Sequence, residues 1–300
     1  MADKIKVVFL GSGSAVPTAE RNHPAVLLKY KNENILFDCG EGTQRQFRKA
    51  KISICKLTKL FITHWHGDHV LGIPGLLQTL AFNDYNRKLQ IYGPKGTKKY
   101  LDEIFKIFMP VKKIYFEVRE LDGGTAFETI DFKILSHTVR HNTPCLAYSF
   151  IEKGNLRIDK KKLDKLNIGN SPLIKKLKEE KDVVIKGKKL KFKDLTYRQM
   201  EKKIVIMSDT KYFNGIEKIP EDADLLVIES TYLDEEELAN DNYHLTVLQS
   251  ANIAKKAKVK KLILTHLSQK HQKNKDEFIK IAKKHFKNSD VAEDLMSVEV

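Results

Sequence analysis

The sequence predicts an α/β fold. Short apolar runs of strand length alternate with stretches of helical character along both halves of the chain, the pattern of helices laid over a largely parallel sheet. Glycine and asparagine punctuate the first half, where turns belong. With 300 residues, 41% of them apolar, the chain holds enough hydrophobic material for a sizeable core and too much for a disordered protein.

Taken in order, Lys6 to Leu10 reads as a strand closed by Gly11-Ser12-Gly13-Ser14. Ala25 to Tyr30 and Asn34 to Asp38 read as a strand pair joined by the turn-prone Lys31-Asn32-Glu33. Gly42 to Ala50 has helical character, and Leu60 to Thr63 is a short strand running into a histidine-rich stretch. Gly75 to Phe82 reads as a helix, Leu89 to Tyr92 as a strand and Lys99 to Ile107 as an amphipathic helix. In the second half the strands are Ile204 to Met207, Leu225 to Ile228 and Leu262 to Leu264, with helices over Val247 to Ala257 and Asp276 to His285.

Lysine plus arginine number 54 against 39 acidic residues, a net charge of +15, which points to an anionic partner such as nucleic acid or a membrane surface. No apolar run approaches the roughly 20 residues of a membrane span. The opening Met1-Ala2-Asp3-Lys4-Ile5-Lys6 has no signal-peptide pattern. Cys39, Cys55 and Cys145 show no paired spacing. These features argue for the reducing cytoplasm and against a secreted or membrane protein. The charge is uneven: residues 153–203 hold 16 Lys and 2 Arg against 7 acidic residues, a net of +11. Such a run is either a solvated surface or a basic arm that grips a phosphate backbone. Leu163, Leu166, Ile168, Leu173, Ile174 and Leu177 give it an apolar rhythm, which predicts a folded insertion and not a tail.

The densest chemistry lies in Thr63-His64-Trp65-His66-Gly67-Asp68-His69. His64 and His66, two apart, point the same way on an extended segment, and Trp65 between them points away. Gly67 lets the chain turn and carries Asp68 and His69 to a second position. Imidazole and carboxylate suit zinc, and a carboxylate beside histidines suits a hydrolytic centre better than a structural one. Other histidines and aspartates recur at the ends of short strands: His137 and His141 after Phe132 to Leu135, Asp209 after Met207, and His266 after Leu264-Thr265. Strand ends of an α/β sheet share one rim, where such folds place their sites.

This constellation resembles the metallo-β-lactamase superfamily, with the ligand motifs in that superfamily's order over nearly the whole chain. The resemblance implies a four-layer αββα sandwich with two zinc ions per subunit at one rim. It assigns His64, His66 and His141 to one zinc, Asp68, His69 and His266 to the other, and Asp209 to a bridge between them. His137 competes with His141; the segment Arg140-His141-Asn142-Thr143-Pro144-Cys145-Leu146-Ala147-Tyr148 looks like the ligand segment and favours His141, leaving His137 to a supporting or core position.

Within the superfamily the sequence most resembles the ribonuclease Z family of tRNA 3′-processing endonucleases. Phe9-Leu10-Gly11-Ser12-Gly13-Ser14-Ala15-Val16-Pro17-Thr18 with Arg21-Asn22 resembles its first signature, and Phe37-Asp38-Cys39-Gly40-Glu41-Gly42-Thr43-Gln44-Arg45-Gln46 its second. Val70-Leu71-Gly72-Ile73-Pro74-Gly75-Leu76, Ser208-Asp209-Thr210 and Leu264-Thr265-His266-Leu267-Ser268 also fit. Glu229-Ser230-Thr231-Tyr232 followed by His244-Leu245-Thr246 matches a Glu–His pair that the family sets beside its zincs. The family inserts an arm between its third histidine ligand and its bridging aspartate, where the 153–203 stretch lies. The resemblance implies that this arm clasps precursor tRNA from the partner subunit of a homodimer. The arm departs from the family's Gly-Pro-rich motif, reading Ile168-Gly169-Asn170-Ser171-Pro172-Leu173.

The implied reaction is removal of a 3′ trailer. Two zinc ions roughly 3.5–4 Å apart lower the pKa of a shared water toward neutrality. Asp68, itself a ligand, accepts the water's proton, and His244, oriented by Glu229, protonates the leaving 3′ oxygen. The products are a tRNA 3′-hydroxyl and a trailer with a 5′-phosphate. Recognition would rest on RNA shape and depend on salt. Three other functions fit in part. A small-ester or thioester hydrolase shares the zinc ligands but needs neither the +11 insertion nor the Glu229–His244 pair. A phosphodiesterase for small or cyclic nucleotides shares all but the purpose of the arm. A non-catalytic RNA-binding module has no use for seven converging ligands.

Overall fold

The structure, a computed structural model, describes residues 4–108, 114–154, 156–166, 168, 171–185, 187–271 and 273–300. The chain divides into two compact units, one of residues 1–127, 134–150 and 203–300, the other of 128–133 and 151–202.

Two seven-stranded sheets dominate. The first has the order Ser297–Glu299, Lys6–Gly11, Ala25–Tyr30, Glu33–Phe37, Lys59–Phe61, Leu89–Pro94, Phe116–Leu121. Its pairings are antiparallel as far as Glu33–Phe37 and parallel beyond. The second has the order Ser289–Val291, Leu262–Thr265, Leu225–Glu229, Lys202–Met207, Cys145–Glu152, Phe132–Val139, Gly124–Glu128. Its first four strands are parallel. Parallel strands covered on both faces read as unbroken apolar runs, as LLVIE and LILT do here.

Helices Thr43–Lys49, Ile73–Phe82 and Thr97–Ile107 cover the first sheet, burying Phe47, Leu76, Leu80 and Leu101 with Leu36, Leu60 and Ile91. Helices Val247–Lys256 and Lys275–His285 cover the second, burying Ala251, Ala254, Phe278 and Ala282 with Leu226, Ile228 and Leu264. Between the sheets lies an aromatic layer. Phe61 stacks on Tyr92 at 4.5 Å, Tyr148 meets Phe61 edge-on at 5.0 Å, and Phe150 meets Tyr30 at 5.4 Å. The Tyr148 hydroxyl donates to the Ile62 carbonyl at 2.6 Å. Truncating Phe61 here would cost about 3–5 kcal/mol. The result is the αββα sandwich that the resemblance implied.

The sequence-predicted strands and helices are all present, most with ends shifted by a residue or two, and one expectation fails. The strand from Phe132 does not end at Leu135 but continues to Val139, so His137 sits within it. Its Nε2 lies 2.9 Å from Ser149 Oγ on the strand Cys145–Glu152, and burial lowers its pKa. Strands Phe116–Leu121, Gly124–Glu128, Cys145–Glu152, Ser289–Val291 and Ser297–Glu299 had no sequence reading of their own.

The second unit pairs Leu156–Ile158 with Thr196–Arg198 and Val183–Ile185 with Lys188–Leu190, both antiparallel. Three short helices, Lys160–Lys165, Ile174–Leu177 and Phe192–Leu195, accompany them. Leu163, Ile168, Leu177, Val183, Ile185, Leu190 and Leu195 form a small core of its own. Of the apolar rhythm, Leu163, Ile168 and Leu177 are buried and Ile174 is partly buried, while Leu166 and Leu173 are exposed. Gly169 and Asn170 lie outside the described residues. No helix among the described residues is long and apolar enough to cross a membrane.

Candidate metal centre

Parallel strands from both sheets deliver the candidate residues. Lys59–Phe61 leads to His64, Lys202–Met207 to Asp209, and Leu262–Thr265 to His266. The turn after His66 opens the short helix Gly67–Val70, which carries Asp68 and His69. Its place is set by close backbone approach: a β-carbon on Gly40 would lie 2.5 Å from the Asp68 carbonyl oxygen, and one on Gly72 2.0 Å from that of Gly40. Trp65 turns away, donating Nε1–H to Thr97 Oγ1 at 2.9 Å.

Seven residues converge as two groups sharing one carboxylate. Asp209 Oδ2 lies 3.6 Å from His64 Nε2 and 3.9 Å from His141 Nε2, and His141 Nε2 lies 3.2 Å from His66 Nδ1. Asp209 Oδ1 lies 3.2 Å from His266 Nε2 and 3.5 Å from His69 Nε2. Asp68 Oδ2 is 3.4 Å from both of those nitrogens. Ligand atoms in each group, His64 with His66, His141 and Asp209, and Asp68 with His69 and His266, lie within 4.8 Å of one another.

The hydrogen-bond pattern orients the imidazoles. Thr63 Oγ1 gives its proton to Asp38 Oδ2 at 2.9 Å, so it accepts from His64 Nδ1 at 3.0 Å. His69 Nδ1 donates to Asp38 Oδ2 at 2.8 Å. Thr231 Oγ1 donates to Glu229 Oε2 at 2.7 Å and accepts from His266 Nδ1 at 2.9 Å. His141 Nδ1 donates to the Tyr243 carbonyl at 3.2 Å. Four rings therefore hold their proton on Nδ1 and turn an Nε2 lone pair into the cluster, the tautomer a metal needs. Among the described residues His64 Nε2 is buried with no hydrogen-bond partner.

Charge points the same way. Asp38, Asp68, Asp209 and Glu229 are largely buried, and their ion pairs are with histidines; buried carboxylates without a compensating cation are costly. Burial alone would raise the Asp209 and Asp68 carboxyls, but the surrounding histidines hold both well below the usual range. Burial and neighbouring His69 push His64 well down, into its neutral, ligating form. Burial also lowers His141. A tetrahedral centre with bonds of about 2.0–2.1 Å has edges of about 3.3–3.4 Å, close to the separations above. The donor set fits divalent cations.

Beside the cluster His244 Nδ1 meets Glu229 Oε1 at 3.0 Å. Burial would lower His244, but Glu229 and Asp209 outweigh it and raise it to about 9. Glu229 cannot turn away. It accepts from Thr210 N at 2.8 Å, Leu245 N at 3.2 Å, and Thr231 N and Oγ1. A capping box of Thr246 and Gln249 starts the next helix and pins the loop just past His244. His137 stays out of the cluster. The sequence reading missed the supporting residues Asp38, Thr63, Thr231 and the Tyr243 carbonyl; the first three lie in the quoted motifs and Tyr243 directly precedes one.

The fold and this site define a metal-dependent hydrolase of the metallo-β-lactamase class. The human short-form tRNase Z crystal structure superposes with a TM-score of 0.72 at 28% identity, covering 98% of each chain. A metallo-β-lactamase fold protein from Bacillus subtilis gives 0.73 at 20% identity, covering 99% of this chain and 100% of that one. A ribonuclease Z from Methanosarcina mazei is 36% identical over 301 residues, 99% of this chain and 98% of that protein. A family model described as Anti-Pycsar protein Apyc1 matches residues 5–167. The chain belongs to the family that this model describes and, over its whole length, to the ribonuclease Z family.

Proposed function

We propose that the chain is a two-zinc endoribonuclease that removes the 3′ trailer from precursor tRNA in the cytoplasm, acting as a homodimer. One observation carries the reading: Asp209 turns one oxygen to His64 and His141 and the other to His69 and His266, with the His244–Glu229 pair alongside. His64, His66 and His141 would hold one ion, Asp68, His69 and His266 the other, and Asp209 both. Zinc bound there lowers the pKa of a water and stabilises charge on the phosphoryl oxygens.

The chain's own groups supply the rest. Asp68 accepts the proton of the attacking water. Glu229 fixes Nδ1 of His244, which leaves Nε2 to protonate the departing 3′ oxygen. The products are a tRNA 3′-hydroxyl and a trailer 5′-phosphate. Asp38 and Thr231 hold the rings of His69 and His266 against rotation. The lysines of residues 153–203 neutralise phosphates of the tRNA body, and the family's arrangement supports a clasp from the partner subunit.

The test is cleavage of a 5′-labelled precursor tRNA with a short 3′ trailer, with Asp68→Ala as control. A single metal-dependent cut near the discriminator base, absent in the variant, is the expected result. If the RNA stays intact while a simple phosphodiester is hydrolysed, the reading falls to a phosphodiesterase for small or cyclic nucleotides. Hydrolysis of esters or thioesters alone would move it to the small-ester or thioester hydrolase.

A further inference from the structure

We infer a phosphate-binding subsite beside the metal cluster, formed by Arg140 and Lys211, for a backbone phosphate of single-stranded RNA next to the scissile one. The inference rests on the ribonuclease reading above. Arg140 immediately precedes His141, and Lys211 lies two residues past Asp209. Backbone bonds lock the two segments together. Lys211 N donates to the Arg140 carbonyl at 2.8 Å, and Arg140 N donates to Thr210 Oγ1 at 3.2 Å. Thr210 N is tied in turn to Glu229.

Both cations rest on aromatic faces. Lys211 Nζ lies 4.4 Å from the Tyr243 ring centre, and the Arg140 guanidinium carbon 5.2 Å from that of Phe213. Tyr243 belongs to the site through the bond that its carbonyl accepts from His141. Among the described residues neither cation has a carboxylate within ion-pair distance, whereas Lys270 pairs with Glu235 at 2.6 Å and Lys260 with Asp224 at 2.7 Å. A ring face holds a cation in place without cancelling its charge, which leaves its N–H groups to bind an oxyanion. Tyr243 and Phe213 are partly exposed and offer stacking surfaces that unpaired bases use and a closed duplex does not.

The subsite has a boundary. Tyr212, next to Lys211 in the chain, lines a recess together with Glu235, Glu236, Glu237 and Asp241, whose charge repels a polyanion. The strand therefore runs on the Arg140–Lys211 side.

The test uses full-length protein carrying Lys211→Met, Arg140→Gln or both, with Lys211→Arg as the charge-preserving variant. Kd for precursor tRNA is measured by filter binding in the Asp68→Ala background, and kcat and KM in the parent background. Each neutral substitution should raise Kd and KM about tenfold, the size of one charge-assisted hydrogen bond, with a smaller effect on kcat. The slope of log Kd against log salt should become shallower by about 0.7 per lost phosphate contact on a single strand. Lys211→Arg should retain affinity and slope. An unchanged Kd and slope in the double variant would overturn the subsite. Failure of the parent protein to bind or cut precursor tRNA would overturn the ribonuclease reading and the subsite with it.

Discussion

The metal rim and the lysine-rich unit, which the proposed function sets against RNA, are built in opposite ways. At the rim, His64, His69, Asp209 and His266 are almost fully buried, and each is held by named partners. In the 151–202 unit, lysines such as Lys160, Lys161, Lys175, Lys176 and Lys178 are exposed over a core of seven apolar side chains. Bond-breaking needs a few atoms in fixed places, whereas neutralising a phosphate backbone needs many charges in approximate ones. Single substitutions should therefore be severe at the rim and mild in the unit.

The strongest test of that contrast is Asp209→Ala. It removes the one group that both ligand sets share and leaves His64 and His69 without their common carboxylate. Cleavage should fall by at least about a thousandfold, since the cations are asked to supply several kcal/mol of charge stabilisation. Metal per chain, measured by elemental analysis, should fall with it. Full metal occupancy in this variant would show that Asp209 does not bridge.

His244→Ala comes next. Loss of a positioned proton donor costs about 10²–10⁴ in rate. The metal content should stay at the parent level, because the two ligand groups do not need His244. A variant that loses metal and rate together would make His244 a ligand and not a proton donor.

The same contrast governs what could be read in the sequence. His64, His66, Asp68 and His69 were legible because they share one short stretch, and Asp209 and His266 because each follows an apolar strand. Asp38 was quoted only as part of a motif. Its role depends on the backbone turn at φ 58° that aims the carboxylate at Thr63 and His69, and no local pattern encodes that aim. Arg21 and Asn22 likewise stood in a signature without a function. Arg21 donates to Ser12 Oγ and the Ala292 carbonyl, and Asn22 N to Asp294, so they tie the first loop to a segment some 270 residues away. The end of the strand before His137 was misplaced because a strand with alternating burial, Phe132–Val139, continues past its apolar start. Apart from the apolar Cys145–Glu152, the missed strands are short or charged, as FEVREL is, and gain their place from neighbours, not from their own composition.

In the unit, the corresponding experiment needs several changes at once. Replacing Lys160, Lys161, Lys175 and Lys176 with glutamine should weaken precursor tRNA binding by about tenfold at moderate salt. It should also flatten the slope of log Kd against log salt, as lost phosphate contacts require. Hydrolysis of a small phosphodiester should be unaffected, because these residues belong to neither ligand group. A change in that hydrolysis would break the division between chemistry and grip.

Glu235 combines both styles, a partly exposed charge held by named partners, and it predicts the smallest effect. Its Oε1 accepts from Lys270 Nζ at 2.6 Å and His271 Nε2 at 3.1 Å, and its Oε2 from Leu233 N at 3.1 Å. Burial would raise its pKa, but the Lys270 hydrogen bond and the neighbouring backbone and His271 lower it to about 2. A carboxylate depressed in the folded state adds stability that is fully present above its unfolded pKa near 4.3 and is lost as pH falls toward 2. Glu235→Gln should therefore lower Tm at pH 7 and lose that deficit between about pH 4.3 and 2. Solvent screening holds the contribution of such a pair below about 1 kcal/mol, which in a chain of this size is at most about 2–4 °C. With both proteins stripped of metal, a Tm difference that stayed constant from pH 7 to pH 2.5 would mean that the Glu235 charge contributes nothing and only its shape matters.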